Sequence, residues 1–359
     1  MDKIEVVVSK SKDEMSSKER LLKVASLGQP DRIPIICRGR YGAKYFGYTE
    51  KQLDEDIDKY VEVEVGTLNE FGGDCVYGGI TSGMMEEVLG SRFERLQDTE
   101  PKSLRKPLIE SPADIGLMIK KVDNLDFERG ETLAMVLSRT RKLKQAVGPN
   151  IPVVAWISAP FRSACMLRGT SQIYMDMYEN PELVHTVQQM LMKLWTTWTE
   201  ACVKAGTDII LTSNPTANSV NISKKHYQEY VHPYSKEMFT ALRNKGFTIF
   251  FHPCGDWNDR FELICDEGYH VLHVDQVDLA SIKSNWGHKV GIWGNVKTIQ
   301  TLLQGSANDV KQESIECIKK AGKGGGYILG ANCVIPRETP PENVRAMIEA
   351  GFEHGRYVG

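Results

Sequence analysis

The chain lacks several features, and each lack excludes a class of protein. No apolar run approaches the roughly 18 residues that a membrane span needs, so no membrane association is predicted. No basic face marks a nucleic-acid surface: 44 Lys and Arg are interspersed with 47 Asp and Glu, leaving a net charge of −3. Eight cysteines in 359 residues are too sparse for a disulfide scaffold. The opening "MDKIEVVVSKSKDEMSSKERL" is charged, with one short apolar piece, and does not read as a secretory leader. A cytoplasmic protein with reduced thiols is therefore expected. There is no internal repeat and no low-complexity segment.

What is present is an alternation of short apolar runs with longer amphipathic stretches. The runs cover 33–39, 74–79, 151–159, 208–214, 248–255, 270–276, 289–296 and 326–333. Most are apolar on both faces, as buried parallel strands are. Between them lie helical stretches with clear punctuation. "NPELVHTVQQMLMKLWTTWTEACVKAG" starts on Asn-Pro and stops at Gly206. "SKKHYQEYVHPYSKEMFTALRNKG" runs from a Ser223 cap to Gly246, and "PPENVRAMIEAG" forms a terminal helix. Eight strands, each followed by a helix or loop, predict an α/β protein built as a (β/α)8 TIM barrel. No Gly-rich turn follows the first strand, which argues against a doubly wound open sheet. Residues 1–16 are expected to form an arm. Residues 17–359 form a single domain, with an excursion around 80–150.

In such a barrel, chemistry sits at the C-terminal ends of the strands. His252 and Cys254 fall there in "TIFFHPCGDW", two apart on the strand, so pleating is expected to aim both into the barrel mouth. Cys333 ends the eighth strand in "GANCVIP". One imidazole and two thiolates suit Zn²⁺ and leave a fourth position open, as in catalytic rather than structural zinc. The bland alternative is a satisfied core histidine beside buried cysteines. With two thiolates and a neutral imidazole the cluster is formally neutral. A substrate thiol would then bind as an electron-rich thiolate, suited to alkyl transfer.

These residues resemble the uroporphyrinogen decarboxylase superfamily, and within it the cobamide-dependent methyltransferase branch. The resemblance runs from "ERLLKVASLGQPDRIPI" to "ETPPENVRAMIEAG". It is carried by "NPTANSVNISKKHYQEYVHPY", "FHPCGD", "GIWGNV" and "GANCVIPRETPPENV". It implies a (β/α)8 barrel with zinc on His252, Cys254 and Cys333. It implies methyl transfer between a corrinoid protein and a small substrate, first of all a thiol acceptor held as zinc thiolate. The alternative is demethylation of a methoxy compound such as an aryl methyl ether. The chain has no Asp-x-His-x-x-Gly motif, so a methylcobamide is expected from a separate corrinoid protein. The decarboxylase branch fits less well: it carries a Gly-His pair where this chain has Asn332-Cys333.

Other strand-end residues carry weaker expectations. Arg38 and Arg40 in "CRGRYGAKY" are candidates for binding a substrate carboxylate or sulfonate. Their alternative is pairing with Glu86 or Asp74. Tyr41 is a candidate to close over substrate, and Asn214 and Asn295 to touch it. Asp208 and Asp275 are candidates to fix the tautomer of His252. A strand-end Asp also commonly caps the next helix.

Overall fold

The computed structural model describes residues 13–79, 83–129 and 131–357. Eight parallel strands form the barrel sheet: β1 (Ile35–Ile36), β2 (Val76–Gly79), β3 (Val153–Ser158), β4 (Ile209–Ser213), β5 (Thr248–His252), β6 (Val271–His273), β7 (Gly291–Trp293) and β8 (Tyr327–Gly330). All eight lie within the predicted apolar runs. Neighbours follow the order β1-β8-β7-β6-β5-β4-β3-β2. Side chains alternate across each strand. Ile36, Leu211, Phe250, Val271, Trp293 and Ile328 cluster with Leu21 and Val24 of the helix Ser17–Ala25. The residues beside them, such as Ile35, Ile210, Ile249 and Ile292, pack in the larger cluster with the outer helices.

Helix punctuation follows local chemistry. Ser223 accepts from His226 N (3.1 Å), as its cap role requires. The helical stretch that follows divides at Val231 into Lys224–Tyr230 and His232–Asn244. Pro233 has no N–H to continue the first helix, so it sits in the opening turn of the second. Between β2 and β3 the chain forms the helix Met84–Leu89, an antiparallel hairpin of Arg92–Glu94 and Ser103–Lys106, and the helices Ile115–Asp123 and Glu131–Val147. The expected arm over 1–16 lies outside the described residues for its first twelve positions.

The sheet has one incomplete joint, between β1 and β2. One backbone bond crosses it, Asp74 N to Ile35 O (2.9 Å). Side chains supply the rest. The Asp74 carboxylate accepts from Ile35 N (2.8 Å), from Ser17 Oγ (2.8 Å), from Arg20 Nη1 (2.7 Å) and from both Nη atoms of Arg32 (2.8 and 2.9 Å). Further up, Val76 N bonds toward β3 through Pro152 O, so the intervening Tyr77 N faces the joint. It donates to Glu64 Oε2 (2.9 Å), and Gly79 N donates to Thr140 Oγ1 (3.3 Å). Carboxylates and a hydroxyl thus replace ladder partners at this edge.

Asp74 is fully buried. Burial opposes its charge, but Arg32 and Arg20 outweigh that and hold its pKa below the ordinary value. Asp74→Ala would take the most buried partner from both guanidiniums, leaving Arg20 with Asp31 and Arg32 with Asp13, and we expect a loss of roughly 1.5–3 kcal/mol in chemical denaturation. A folded pKa below the unfolded one stabilises above the unfolded value and loses that contribution as pH falls through the folded one. The acid limb of the stability–pH profile should accordingly be shallower in Asp74→Ala than in the parent.

Candidate metal centre

β5 delivers His252 to the C-terminal end of the barrel, beside Ser213 of β4. It lies on the same face as Phe250, toward the interior. The strand stops there. Cys254 N bonds back to His252 O (3.0 Å), closing a three-residue turn of the γ type around Pro253. The fixed φ of proline suits that central position. This turn, rather than continued pleating, brings Cys254 beside His252. Gly255 follows at φ 88, and a Cβ there would stand 2.7 Å from Asn218 Nδ2.

Cys333 arrives from the far side of the sheet. After β8, Asn332 N donates to Val296 O (2.8 Å), and Asn332 Oδ1 accepts from Thr298 N (2.9 Å). Cys333 N donates to Thr298 Oγ1 (3.2 Å). Cys333 Sγ then lies 3.4 Å from His252 Nε2. One donor atom from each of His252, Cys254 and Cys333 falls within 4.8 Å of the others. That spacing suits ligands on a tetrahedral ion with bonds of about 2.0–2.3 Å. His252 Nδ1 is 2.8 Å from His273 O, so the ring is held as the Nδ1–H tautomer with Nε2 free to ligate. His273 is itself fixed, with Nε2 2.8 Å from Ala331 O and its ring stacked on Trp293 at 3.6 Å. Burial holds its pKa well below the ordinary value, so it stays neutral.

The two thiols are coupled: Cys254 lowers the pKa of Cys333, and Cys333 raises that of Cys254. Cationic groups face the pair. Arg38 and Arg162 both interact electrostatically with Cys254. Burial lowers the pKa of Arg38, which makes no ion pair among the described residues. Its Nη1 is buried without a hydrogen-bond partner. A cavity of about 450 Å³, lined by Arg38, Tyr77, Trp156, Arg162, Ser213 and Val334 among others, adjoins the triad through Ser213 and Val334, and a second of about 690 Å³ is lined by Cys333 itself with Asp275, Asn295 and Asn332.

The remaining expected site residues are placed differently. Arg40 pairs with Glu50 (3.5 Å) and lies over the Tyr60 ring, so its charge is largely answered within the protein. Neither arginine meets the expected partners. Asp74 belongs to Arg20 and Arg32, and Glu86 accepts from Ser163. Tyr41 does not close over the site. It is buried against Phe71, because its short helix turns it back toward the helix Ile57–Phe71. Asn214 is buried in its own turn, where its Oδ1 accepts from Thr216 Oγ1 (3.1 Å). Asn295 Nδ2 braces the loop after β6 through the carbonyls of Val277 (3.1 Å) and Asp275 (3.3 Å).

Neither aspartate fixes His252. Asp208 precedes β4, at the opposite end of the barrel, and pairs with Lys18 and Lys144 there. Asp275 caps no helix, since Asp278 caps the next one. Instead, Asp275 Oδ2 accepts from Gly255 N (2.9 Å) and Oδ1 from Asn332 Nδ2 (2.7 Å). One carboxylate therefore ties together the two loops that carry the cysteines. Sequence reasoning missed this role for Asp275, together with Asn332 and His273. The adjacency of Asn332 to Cys333 was the one available signal.

The profile of the family described as "Uroporphyrinogen decarboxylase (URO-D)" matches residues 16–354. The methylcobamide:CoM methyltransferase MtbA of Methanosarcina mazei is 23% identical over 341 residues, covering 94% of this chain and 97% of that protein. A uroporphyrinogen decarboxylase of Carboxydothermus hydrogenoformans is 25% identical over 328 residues, covering 88% and 89%. The solved structure of a methyltransferase from Methanosarcina mazei superposes with a TM-score of 0.83 at 19% identity, covering 95% of this chain and 99% of that one, and so shares the fold.

Asp275→Ala should loosen both cysteine loops. Titration with Co²⁺, read by thiolate-to-cobalt absorption, should show affinity weakened about 10–100-fold, as for lost outer-sphere partners. Unchanged affinity would mean that the carboxylate does not position the donors.

Proposed function

The chain belongs to the uroporphyrinogen decarboxylase family, and we propose that it is a zinc-dependent methyltransferase moving a methyl group between a corrinoid protein and a small substrate. One observation carries this reading: three metal-capable donors converge at the barrel mouth near the half-buried Arg38, whose buried Nη1 has no hydrogen-bond partner. Full-length similarity to proteins named methylcobamide:CoM methyltransferases supports it. We take a thiol as the first choice of acceptor, on one barrel domain over 17–359. We place the protein in the cytoplasm, where its eight free cysteines would stay reduced.

His252, Cys254 and Cys333 would hold the zinc. When bound there, it supplies the Lewis acidity that keeps a substrate thiol deprotonated near neutral pH. A corrinoid protein supplies the methyl group, which leaves cobalt for sulfur while the electron pair of the broken bond stays on cobalt. The chain's own residues do the rest. The His273 carbonyl presents His252 in one tautomer. Asp275 holds the two cysteine loops at one spacing. The Arg38 guanidinium offers a buried N–H to an acid group on the substrate, which orients the reacting atom toward the triad.

Protein purified without chelator is expected to carry about one zinc per chain and to methylate a small acidic thiol from free methylcobalamin. Cys333→Ala should lose most of the metal and the transfer with it. Full zinc occupancy in that variant would overturn the assignment. Arg38→Ala should raise KM for an acidic thiol far more than it lowers kcat, because the contact is made equally in ground and transition states.

A further inference from the structure

Cys254 lies two residues past the end of β5, where no sheet ladder holds it. Gly255 follows at φ 88 and brings no side chain to stiffen the bend. A donor in such a place keeps one direction only if both flanking peptides are fixed, since each residue has two soft backbone dihedrals. Both are fixed here. The peptide before Cys254 gives its N–H to His252 O (3.0 Å). The peptide after it is gripped at both polar atoms. Its N–H, on Gly255, donates to Asp275 Oδ2 (2.9 Å). Its carbonyl, on Cys254, accepts from Trp257 Nε1 (3.0 Å), with Asn218 Nδ2 farther off at 3.4 Å. With φ and ψ set in this way, only χ1 is left to choose among the staggered positions for Sγ.

Trp257 is itself placed by packing. It is 1% exposed. Its ring stands perpendicular to that of Phe251 (5.5 Å), which faces the outer helices from β5. It stands perpendicular also to that of Tyr227 (5.6 Å) on the helix Lys224–Tyr230. Tyr227 is held in turn by its hydroxyl, which donates to Glu267 Oε1 (2.5 Å). The indole therefore cannot shift without opening this packed layer. Three other tryptophans, Trp195, Trp198 and Trp293, bury an indole N–H that meets no acceptor among the described residues. Packing alone fixes those rings. Trp257 differs in aiming its N–H, a donor and nothing else, at the carbonyl of a candidate ligand.

Resting on the zinc-site reading above, we infer that Trp257 is a positioning residue: by fixing the Cys254 carbonyl it sets the direction from which the Cys254 sulfur meets the ion. It touches neither metal nor substrate. Asp275 holds the other end of the same peptide, so losing either partner frees the same rotation. Trp257 holds that peptide from behind the strand, on the side away from the barrel interior.

Two replacements separate the N–H from the bulk of the ring. Trp257→Phe keeps a ring against Phe251 and Tyr227 and removes the donor. Benzothienylalanine in place of Trp257 removes only the N–H, with sulfur where nitrogen stood, and it decides the matter if Trp257→Phe does not fold. Tyr227→Phe is the packing control: it loses the Glu267 contact and leaves the indole donor intact. Each protein is titrated with Co²⁺ and read by thiolate-to-cobalt absorption and by the ligand-field bands, which respond to the angles between donors. Both Trp257 replacements should shift the ligand-field bands and weaken cobalt affinity about tenfold, as for a lost outer-sphere partner. Tyr227→Phe should melt at a lower temperature and keep the parent spectrum. A parent-like spectrum and affinity in either folded Trp257 replacement, or an equal change in Tyr227→Phe, overturns the inference and leaves the metal centre standing. A parent protein that takes up no Co²⁺ overturns the zinc-site reading and the inference with it. The expected cobalt pattern in protein that transfers no methyl group supports the inference and overturns the methyl-transfer reading instead.

Discussion

The Asp74 carboxylate stands where a stretch of sheet ladder is missing, and it holds Ile35 N, Arg20, Arg32 and Ser17 at once. Because β1 pairs on its other side with β8, fixing β1 also fixes the strand that leads to Cys333. Just past β1, the chain sets Arg38 at the cavity wall. An ion pair this deep is weak evidence of net stabilisation, since desolvating three charges offsets much of their attraction. What it gives is position. Without it, a two-residue strand with one backbone bond to its neighbour has little to define its height.

The site above is assembled by the same economy of contacts. Cys254 and Cys333 follow β5 and β8, three strands apart in the sheet, and Asp275 between them touches both loops. Cys254 needs a tight turn around Pro253, and Cys333 needs Asn332 locked against Thr298. His252 needs only a backbone carbonyl, which cannot be protonated or lost by substitution. The centre is therefore anchored mostly to main chain and to one carboxylate, and leaves the guanidiniums of the mouth for other partners.

The barrel was legible because burial on both faces writes itself into the strands as continuous apolar runs, and all eight appear where those runs lie. The donors were legible because strand ends gather on one rim. Polar neighbours were not. Asp208 reads as a strand residue, but one position before β4 is the wrong rim altogether. Tyr41 and Asn214 depend on contacts with Phe71 and Thr216 that periodicity does not encode. The roles of Asp275 and His273 arise from partners 20 to 60 positions away, and no local pattern marks such pairs. The resemblance supplied the ligand set without saying what holds it in place.

The unladdered edge of β2 separates the fold into a part that must stay and a part that is free to change. Glu64 and Thr140, which satisfy that edge, belong to helices of the chain's first half, while the donor-bearing loops follow β5 and β8. Descendants of one ancestral barrel can therefore reshape the substrate chamber by altering the helices around β2. The half that carries the His and Cys donors need not move a single backbone bond. A family that contains both tetrapyrrole decarboxylases and methyltransferases on one scaffold is the kind of divergence such a division permits.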